Sequence, residues 1–206
     1  MNAQTLYAPL QLFADVCIQE KEAIRSESIN KNDRFELLYT CMQTFANLPL
    51  KTGGSVLHPS NNLSIEKMAG HIVFSPSFIN MYLQQNMTDS YLDVVPYIPG
   101  ESDRAGQIDR APNEYIYYHN SLIEPNSEVT FYYNVSVGEQ QVVIIAEDDT
   151  QLAIEITSEA GTSILLNTNA PQNVTSQIWN EENPSVVHIK VNNPTNKSVS
   201  FVLAAH

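Results

Sequence analysis

The sequence predicts an α+β protein in which a mainly helical N-terminal region is followed by a C-terminal antiparallel β-sandwich of jelly-roll type. In the first half of the 206 residues, apolar side chains recur at helical spacing. In the second half, several short segments alternate between apolar and polar residues and are separated by turn residues, a pattern typical of sandwiches and jelly rolls. We therefore expect a helical region over 1–112 and a β-sandwich over 113–206, with the boundary between 112 and 126.

Three to four helices are predicted in the N-terminal region. The first runs from about Pro9 to Ser26, where the apolar spacing is carried by Leu10, Phe13, Ala14, Cys17 and Ile24. The second begins at Asp33, because Asp33 and Glu36 have the spacing of a capping box, and its apolar face carries Phe35, Leu38, Met42 and Phe45. We expect these two helices to pack as an antiparallel hairpin. Further helices are predicted over 64–69 and 75–85, and a loop over 49–60.

The strands of the C-terminal region differ in how much of each strand is apolar. Residues 129–137 alternate strictly, which predicts a strand with one face in a core and one face in water. Residues 142–146 are continuously apolar, which predicts a strand buried on both faces. Other strands are predicted over 115–119, 152–156, 187–191 and 199–203. A short apolar segment, 164–166, and a polar stretch with the single tryptophan, Trp179, lie among them.

The composition is acidic, with 23 Asp and Glu against 10 Lys and Arg and a formal net charge of -13. Nucleic acid and anionic membrane surfaces both require basic surfaces, so neither is an expected partner. No apolar run is long enough to span a membrane, so no membrane-spanning segment is predicted. The first twelve residues lack the pattern of a secretory signal. The protein is therefore expected to be cytoplasmic, or secreted with its signal removed or by another route.

The usual catalytic patterns are missing from the sequence. The five histidines are isolated from one another, and no HExxH, GxSxG or GxGxxG motif occurs. We therefore predict no catalytic residue. An alternative is an enzyme in which Cys41 pairs in space with His58 or His71. Cys17 and Cys41 fall on predicted helices and are interpreted as small buried residues, with a helix-to-helix disulfide as the alternative.

One loop of the N-terminal region, 101–112, contains a near repeat that suggests a recognition site. Asp103-Arg104 and Asp109-Arg110 are six residues apart and hold two of the few arginines. The guanidinium of arginine matches a carboxylate or sulfate group, so the loop is predicted to bind a ligand, whereas local ion pairs in a solvated loop are the alternative. The tyrosine-rich strand that follows adds Tyr115 and Tyr117 to the candidate ligand-binding residues, since aromatic rings stack on sugars or on a partner protein.

A second candidate site is the acidic turn formed by Glu147, Asp148 and Asp149. Three carboxylates suit calcium, which prefers oxygen ligands. The turn lacks the glycine and the distal glutamate of an EF-hand, and a plain acidic turn is the alternative. Apart from calcium at this turn, no cofactor is predicted.

The C-terminal half, about 127–206, resembles the bacterial pre-peptidase C-terminal (PPC) domain family. The resemblance rests on the strand 130–137 leading into Gly138-Glu139-Gln140-Gln141-Val142, on the segment 148–154, and on the strand 187–191 before the last strand. The aromatic-rich G-x-Y signature of that family is missing. The resemblance implies a jelly-roll sandwich and a small non-catalytic module of secreted bacterial proteins. The first 110 residues resemble no family.

These observations together predict a non-enzymatic binding or assembly protein that recognises a protein or carbohydrate surface. Two other classes stay open. A structural component of a toxin or virion-type particle would form a homo-oligomer with a large apolar interface. A hydrolase-like enzyme would have its site between the two halves and would bring Cys41 or histidines together with Asp103 or Asp109.

Overall fold

The computed structural model describes residues 8–26, 31–60, 115–147 and 150–206, which contain two helices and ten strands. The helices are α1 (Ala8–Arg25) and α2 (Lys31–Ala46). The strands are β1 (Leu50–Thr52), β2 (Leu57–Pro59), β3 (Ile116–Ile123), β4 (Ser127–Val135), β5 (Gly138–Ala146), β6 (Leu152–Ser158), β7 (Ser163–Gln172), β8 (Val174–Glu181), β9 (Ser185–Asn193) and β10 (Val199–Ala205). No helix among the described residues is both long and apolar enough to cross a membrane.

The strands form two five-stranded sheets. Sheet A has the order β1-β3-β10-β5-β8, and sheet B has the order β2-β4-β9-β6-β7. The eight strands from β3 to β10 have the arrangement of a double-sheet jelly roll, and their pairings are antiparallel. The predicted β-sandwich is therefore confirmed, and β1 and β2 add one edge strand to each sheet.

The inner faces of the two sheets enclose an apolar inter-sheet core. Alternate residues of β4 and β9 point into it, as the predicted alternation requires. Its largest fully buried side chains include Phe131 and Phe201, whose rings meet edge to face with centroids 6.1 Å apart. Aliphatic side chains of β2 to β6, β9 and β10 complete it.

The helices α1 and α2 form a hairpin that covers the outer face of sheet A. Its apolar residues and those of the sheet form one cluster, the helical cluster, which contains Leu10, Phe13, Ala14, Cys17, Leu38, Cys41, Phe45, Leu48, Leu50, Ile116, Val143, Ile145, Val174, Val202 and Ala204. Phe45 contacts both Phe13 (centroids 5.2 Å apart) and Tyr118 (5.9 Å). Because β5 has the hairpin on one face and the inter-sheet core on the other, its apolar run is buried on both faces, as predicted.

Three strands and one helix start differ from the sequence prediction. β1 and β2 lie in the segment predicted as a loop, and β8 lies in the polar stretch around Trp179. Three-residue strands are too short to show a period, and β8 is an edge strand with mostly partly exposed side chains. α2 begins at Lys31, so Asp33 lies within its first turn instead of capping it.

The described part of the chain contains two of the three to four predicted helices, and the segments 64–69 and 75–85 lie outside it. The predicted division into 1–112 and 113–206 stays a prediction for the same reason. β1 and β2 nevertheless pair with strands of the sandwich, β1 in parallel with β3 and β2 antiparallel to β4. The turn that joins them passes from one sheet to the other, and a Cβ atom at Gly53 would collide there with the carbonyl oxygen of Leu57.

Candidate functional site

The outer face of sheet B carries a row of ring and hydroxyl side chains across four strands. The register places His58 of β2 opposite Tyr132 of β4, Tyr132 opposite His188 of β9, and His188 opposite Thr157 of β6. Directly opposed residues in neighbouring strands have their Cβ atoms about 5 Å apart, so these side chains are in mutual reach. We call His58, Tyr132, His188 and Thr157 the cross-strand row.

The rings of this row contact one another. The Tyr132 centroid lies 5.1 Å from that of His188, at an interplanar angle of 85°, and 5.5 Å from that of His58, at 41°. All three side chains are half-buried. The Nδ1 atom of His58 is buried and has no hydrogen-bond partner among the described residues. The row is thus a packed ring surface that keeps part of its area accessible.

A small charged group lies next to the row on the same face. Lys190 of β9 is opposite Thr130 of β4 and Glu155 of β6. Its ammonium nitrogen is 3.4 Å from a carboxylate oxygen of Glu128 and 3.8 Å from one of Glu155. Since one cation faces two anions, the group carries no excess positive charge. All three side chains are substantially exposed, so each ion pair contributes little to stability.

The cysteine–histidine alternative is not found on the part of this face that the structure describes. Cys41, the thiol of the predicted cysteine–histidine pair, lies in the helical cluster on the outer side of sheet A. His58 lies on the outer side of sheet B, so the whole sandwich separates the two side chains. The alternative in which Cys41 pairs with His58 is therefore wrong, and His71 lies outside the described residues. Among the described residues, no group of three or more His, Cys, Asp or Glu could hold a metal ion.

The residues of the predicted recognition loop, Asp103, Arg104, Asp109 and Arg110, all lie outside the described residues, so their role stays a prediction. Tyr115 is half-buried, with the Lys51 ammonium 4.9 Å above its ring. Tyr117 packs against the inter-sheet core. The structure therefore places these two tyrosines away from the cross-strand row.

Tyr132 belongs to the outer face of sheet B, whereas two other aromatic residues of the strands, Tyr118 and Trp179, do not. Tyr118 packs against the helical cluster, and Trp179 packs against the inter-sheet core while its indole N–H donates to Glu181 at 2.9 Å. The alternation of β4 already indicates the position of Tyr132, whereas no sequence signal indicated His58, because β2 has three residues.

The predicted calcium turn also lies mostly outside the described residues. Asp148 and Asp149 are not described, and the backbone N–H of Glu147 donates to the carbonyl of Ser200 at 2.9 Å. Calcium binding at Glu147, Asp148 and Asp149 stays a prediction.

A shallow concavity of about 650 Å³ lies at one end of the sandwich, and its lining begins at Ser158, the residue that follows Thr157 of the row. It is formed by the β6–β7 and β8–β9 turns and is lined by Ser158, Glu159, Ala160, Asn180, Glu181, Glu182, Asn183 and Ser185. No histidine, cysteine or basic side chain is among its lining residues, so the carboxylates that line it have no cationic partner among those residues.

No protein-family model matches the chain, and no curated protein matches it. The resemblance to the PPC family therefore stays a prediction. Among solved structures, the chain is similar to a periplasmic inhibitor of g-type lysozyme from Aeromonas hydrophila, with 9% identity over 48% of this chain and 90% of that one and a TM-score of 0.35.

Two other solved structures are similar over a comparable share of the chain. A chitosan-binding module from a Paenibacillus sp. IK-5 chitosanase/glucanase has 10% identity, a TM-score of 0.30, and coverage of 42% of this chain and 75% of that one. A de novo designed double-stranded β-helix has 19% identity, a TM-score of 0.29, and coverage of 43% and 97%. These identities and TM-scores are too low to carry a functional argument.

Proposed function

We propose that this protein is a non-enzymatic binding protein that recognises an uncharged carbohydrate through the outer face of sheet B. The observation that carries the proposal is the cross-strand row, in which Tyr132 is flanked by two imidazoles on a partly exposed sheet surface. The proposal narrows the sequence-based expectation of a protein or carbohydrate ligand. It also moves the site from the 101–112 loop to the sheet.

The chemistry of the row suits a sugar. A pyranose ring has an apolar C–H face and a rim of hydroxyl groups, so it requires a ring surface with hydrogen-bonding groups beside it. Tyr132 supplies an amphipathic ring, and the imidazoles of His58 and His188 and the hydroxyl of Thr157 supply donors and acceptors. Four strands hold these side chains in place, so little conformational entropy is lost when a ligand binds.

The charges next to the row favour an uncharged ligand. Lys190 is within ion-pair distance of Glu128 and Glu155, so its charge is already compensated. The chain as a whole carries a net charge of -13. An anionic polysaccharide would therefore meet an unfavourable field, whereas a neutral one would not.

Affinity gel electrophoresis tests this proposal with soluble neutral polysaccharides, a β-glucan, a mannan, a xylan and a galactan, together with anionic polygalacturonate. We expect at least one neutral polysaccharide to retard the protein and polygalacturonate to have no effect. Replacing Tyr132 with Ala is expected to weaken the association constant by about fivefold, because ring stacking contributes roughly 1 kcal/mol.

Tyr115→Ala is the matched control, since Tyr115 is also a half-buried tyrosine of the sandwich but lies at the Lys51 edge. We expect it to bind as the unchanged protein does. Loss of binding in Tyr115→Ala with retention in Tyr132→Ala would move the site to the tyrosine-rich strand. If none of the four neutral polysaccharides retards the protein, the proposal of carbohydrate recognition is overturned. Recognition of a protein surface would then be the better hypothesis.

A further inference from the structure

The two cysteines of the chain meet inside the helical hairpin. Cys17 of α1 and Cys41 of α2 belong to the same apolar cluster, and each side chain is 1% exposed. Both are free thiols, and their side chains are hydrogen-bonded to each other across the helix pair. The sulfur of each residue therefore has the other sulfur as a direct neighbour.

The surroundings of Cys17 keep this side chain in the thiol form. Burial, together with the hydrogen bond and charge interaction with Cys41, raises the pKa of Cys17 well above its usual value. Lys21 acts in the opposite direction, but its ammonium is 3.3 Å from the carboxylate of Glu20, which is buried beside it. Since the thiolate is the nucleophile in disulfide exchange, the closed hairpin reacts slowly with outside oxidants.

We propose that Cys17 and Cys41 are a redox-sensitive pair, in which a small-molecule disulfide oxidises the two thiols to a bond that fastens α1 to α2. When the hairpin opens transiently, one cysteine thiolate attacks the oxidant, forms a mixed disulfide and releases one small thiolate, which takes up the proton. The second cysteine thiolate then attacks the mixed disulfide at the protein sulfur, and a second small thiol leaves. Two protein thiols are oxidised and one oxidant disulfide is reduced to two thiols.

The disulfide bond would stabilise the helical hairpin on sheet A and would leave the outer face of sheet B unchanged. It closes a loop through the α1–α2 connection, which reduces the conformational entropy of the unfolded chain. The helical cluster includes Val143 and Val202 of sheet A, so holding the hairpin closed also protects that sheet. The proposal is independent of the carbohydrate ligand, because the pair lies on the opposite side of the sandwich from the cross-strand row.

The test compares the unchanged protein before and after incubation with oxidised glutathione, by intact-mass spectrometry, peptide mapping and thermal unfolding. We expect a monomer that has lost the mass of two hydrogen atoms, a Cys17–Cys41 linked peptide, and a Tm higher by roughly 5–10 °C. Dithiothreitol should reverse all three changes. This comparison uses only the unchanged protein, so its result does not depend on whether a cysteine variant folds.

Cys17→Ala and Cys41→Ala provide the second measurement. Each should gain one glutathione and should show no rise in Tm with the oxidant, because the resolving thiol is gone. The proposal is overturned if the unchanged protein carries two separate glutathiones or forms only disulfide-linked dimers. It is also overturned if both thiols stay reduced at denaturant concentrations that open the hairpin. An unchanged or lower Tm after the Cys17–Cys41 bond has formed would overturn it as well.

Discussion

The outer faces of the two sheets have the same architecture but opposite chemistry. The outer face of sheet A is apolar and lies under the helical hairpin, where Val143 and Val202 are completely buried. The outer face of sheet B carries Tyr132, His188 and Lys190, which are all partly exposed. A jelly roll requires only that the inner faces be apolar, so each outer face is available for a separate purpose.

The difference is visible in the residue pattern of the central strands. β10 is buried at all seven positions, because both of its faces meet apolar neighbours. β9 alternates between buried and partly exposed positions over most of its length. Continuous apolar strands therefore identify the covered sheet, and alternating strands identify the sheet that keeps a surface for binding.

The largest expected effect comes from breaking the covered face. Phe13→Ala removes a completely buried ring that contacts Phe45, and we expect it to lower the free energy of unfolding by about 3–5 kcal/mol. Leu12→Ala on the same helix is the control, since Leu12 is 56% exposed, and it should change stability by less than about 0.5 kcal/mol. Urea denaturation measures both. Equal effects would show that the hairpin does not pack on sheet A as described.

An intermediate effect is expected from exchanging the chemistry of the two faces. Val143→Thr places a hydroxyl under the hairpin, and we expect a loss of about 1–3 kcal/mol. The reverse change, Thr130→Val on the outer face of sheet B, should alter stability by less than about 0.5 kcal/mol, because Thr130 is partly exposed. Urea denaturation of both variants checks the contrast. A cost for Thr130→Val that equals or exceeds that of Val143→Thr would contradict it.

The smallest effect concerns the histidine of the inter-sheet region. His119 packs edge-on against Phe131, and burial lowers its pKa, while a hydrogen bond with the backbone of Asn120 partly offsets the shift. The unfolded chain therefore takes up the proton first, at about pH 6.5. The contribution of His119 to stability is complete above that pH and decreases as the pH falls through 6.5 toward the lower pKa of the folded state.

Urea denaturation between pH 7.5 and about 5 measures this dependence. The free energy of unfolding of the unchanged protein should fall more steeply with acid than that of His119→Gln, which cannot titrate. Identical slopes would show that His119 titrates equally in the folded and unfolded chain.

The sandwich was predictable because its central strands are long and strongly patterned. The alternation of β4 and the apolar run of β5 each predict the correct burial. β1 and β2 were not predictable, because a three-residue strand contains too few positions to show a period. The helical hairpin on sheet A was predictable in part. The helical spacing of the apolar residues predicts the hairpin itself, but no local pattern indicates which sheet the hairpin packs against.

The candidate site was predictable only in part. Tyr132 and His188 occupy polar positions of two predicted strands. Their opposition depends on the pairing register of β4 and β9, and the four strands β5 to β8 separate these two strands in the chain. His58 joins them through β2, and the chain between β2 and β3 exceeds fifty residues. A site that forms across strands leaves no motif, because its members are neighbours only after the sheets have formed.

The place of β10 also determines when this protein can fold during its synthesis. β10 lies between β3 and β5 in sheet A, although it follows every other strand in the chain. Until the ribosome has released Val199–Ala205, β3 and β5 have no common partner, and both expose edges that bind other strands. Sheet A of the nascent chain is therefore incomplete until β10 has been synthesised, and protection by chaperones is most needed during that interval.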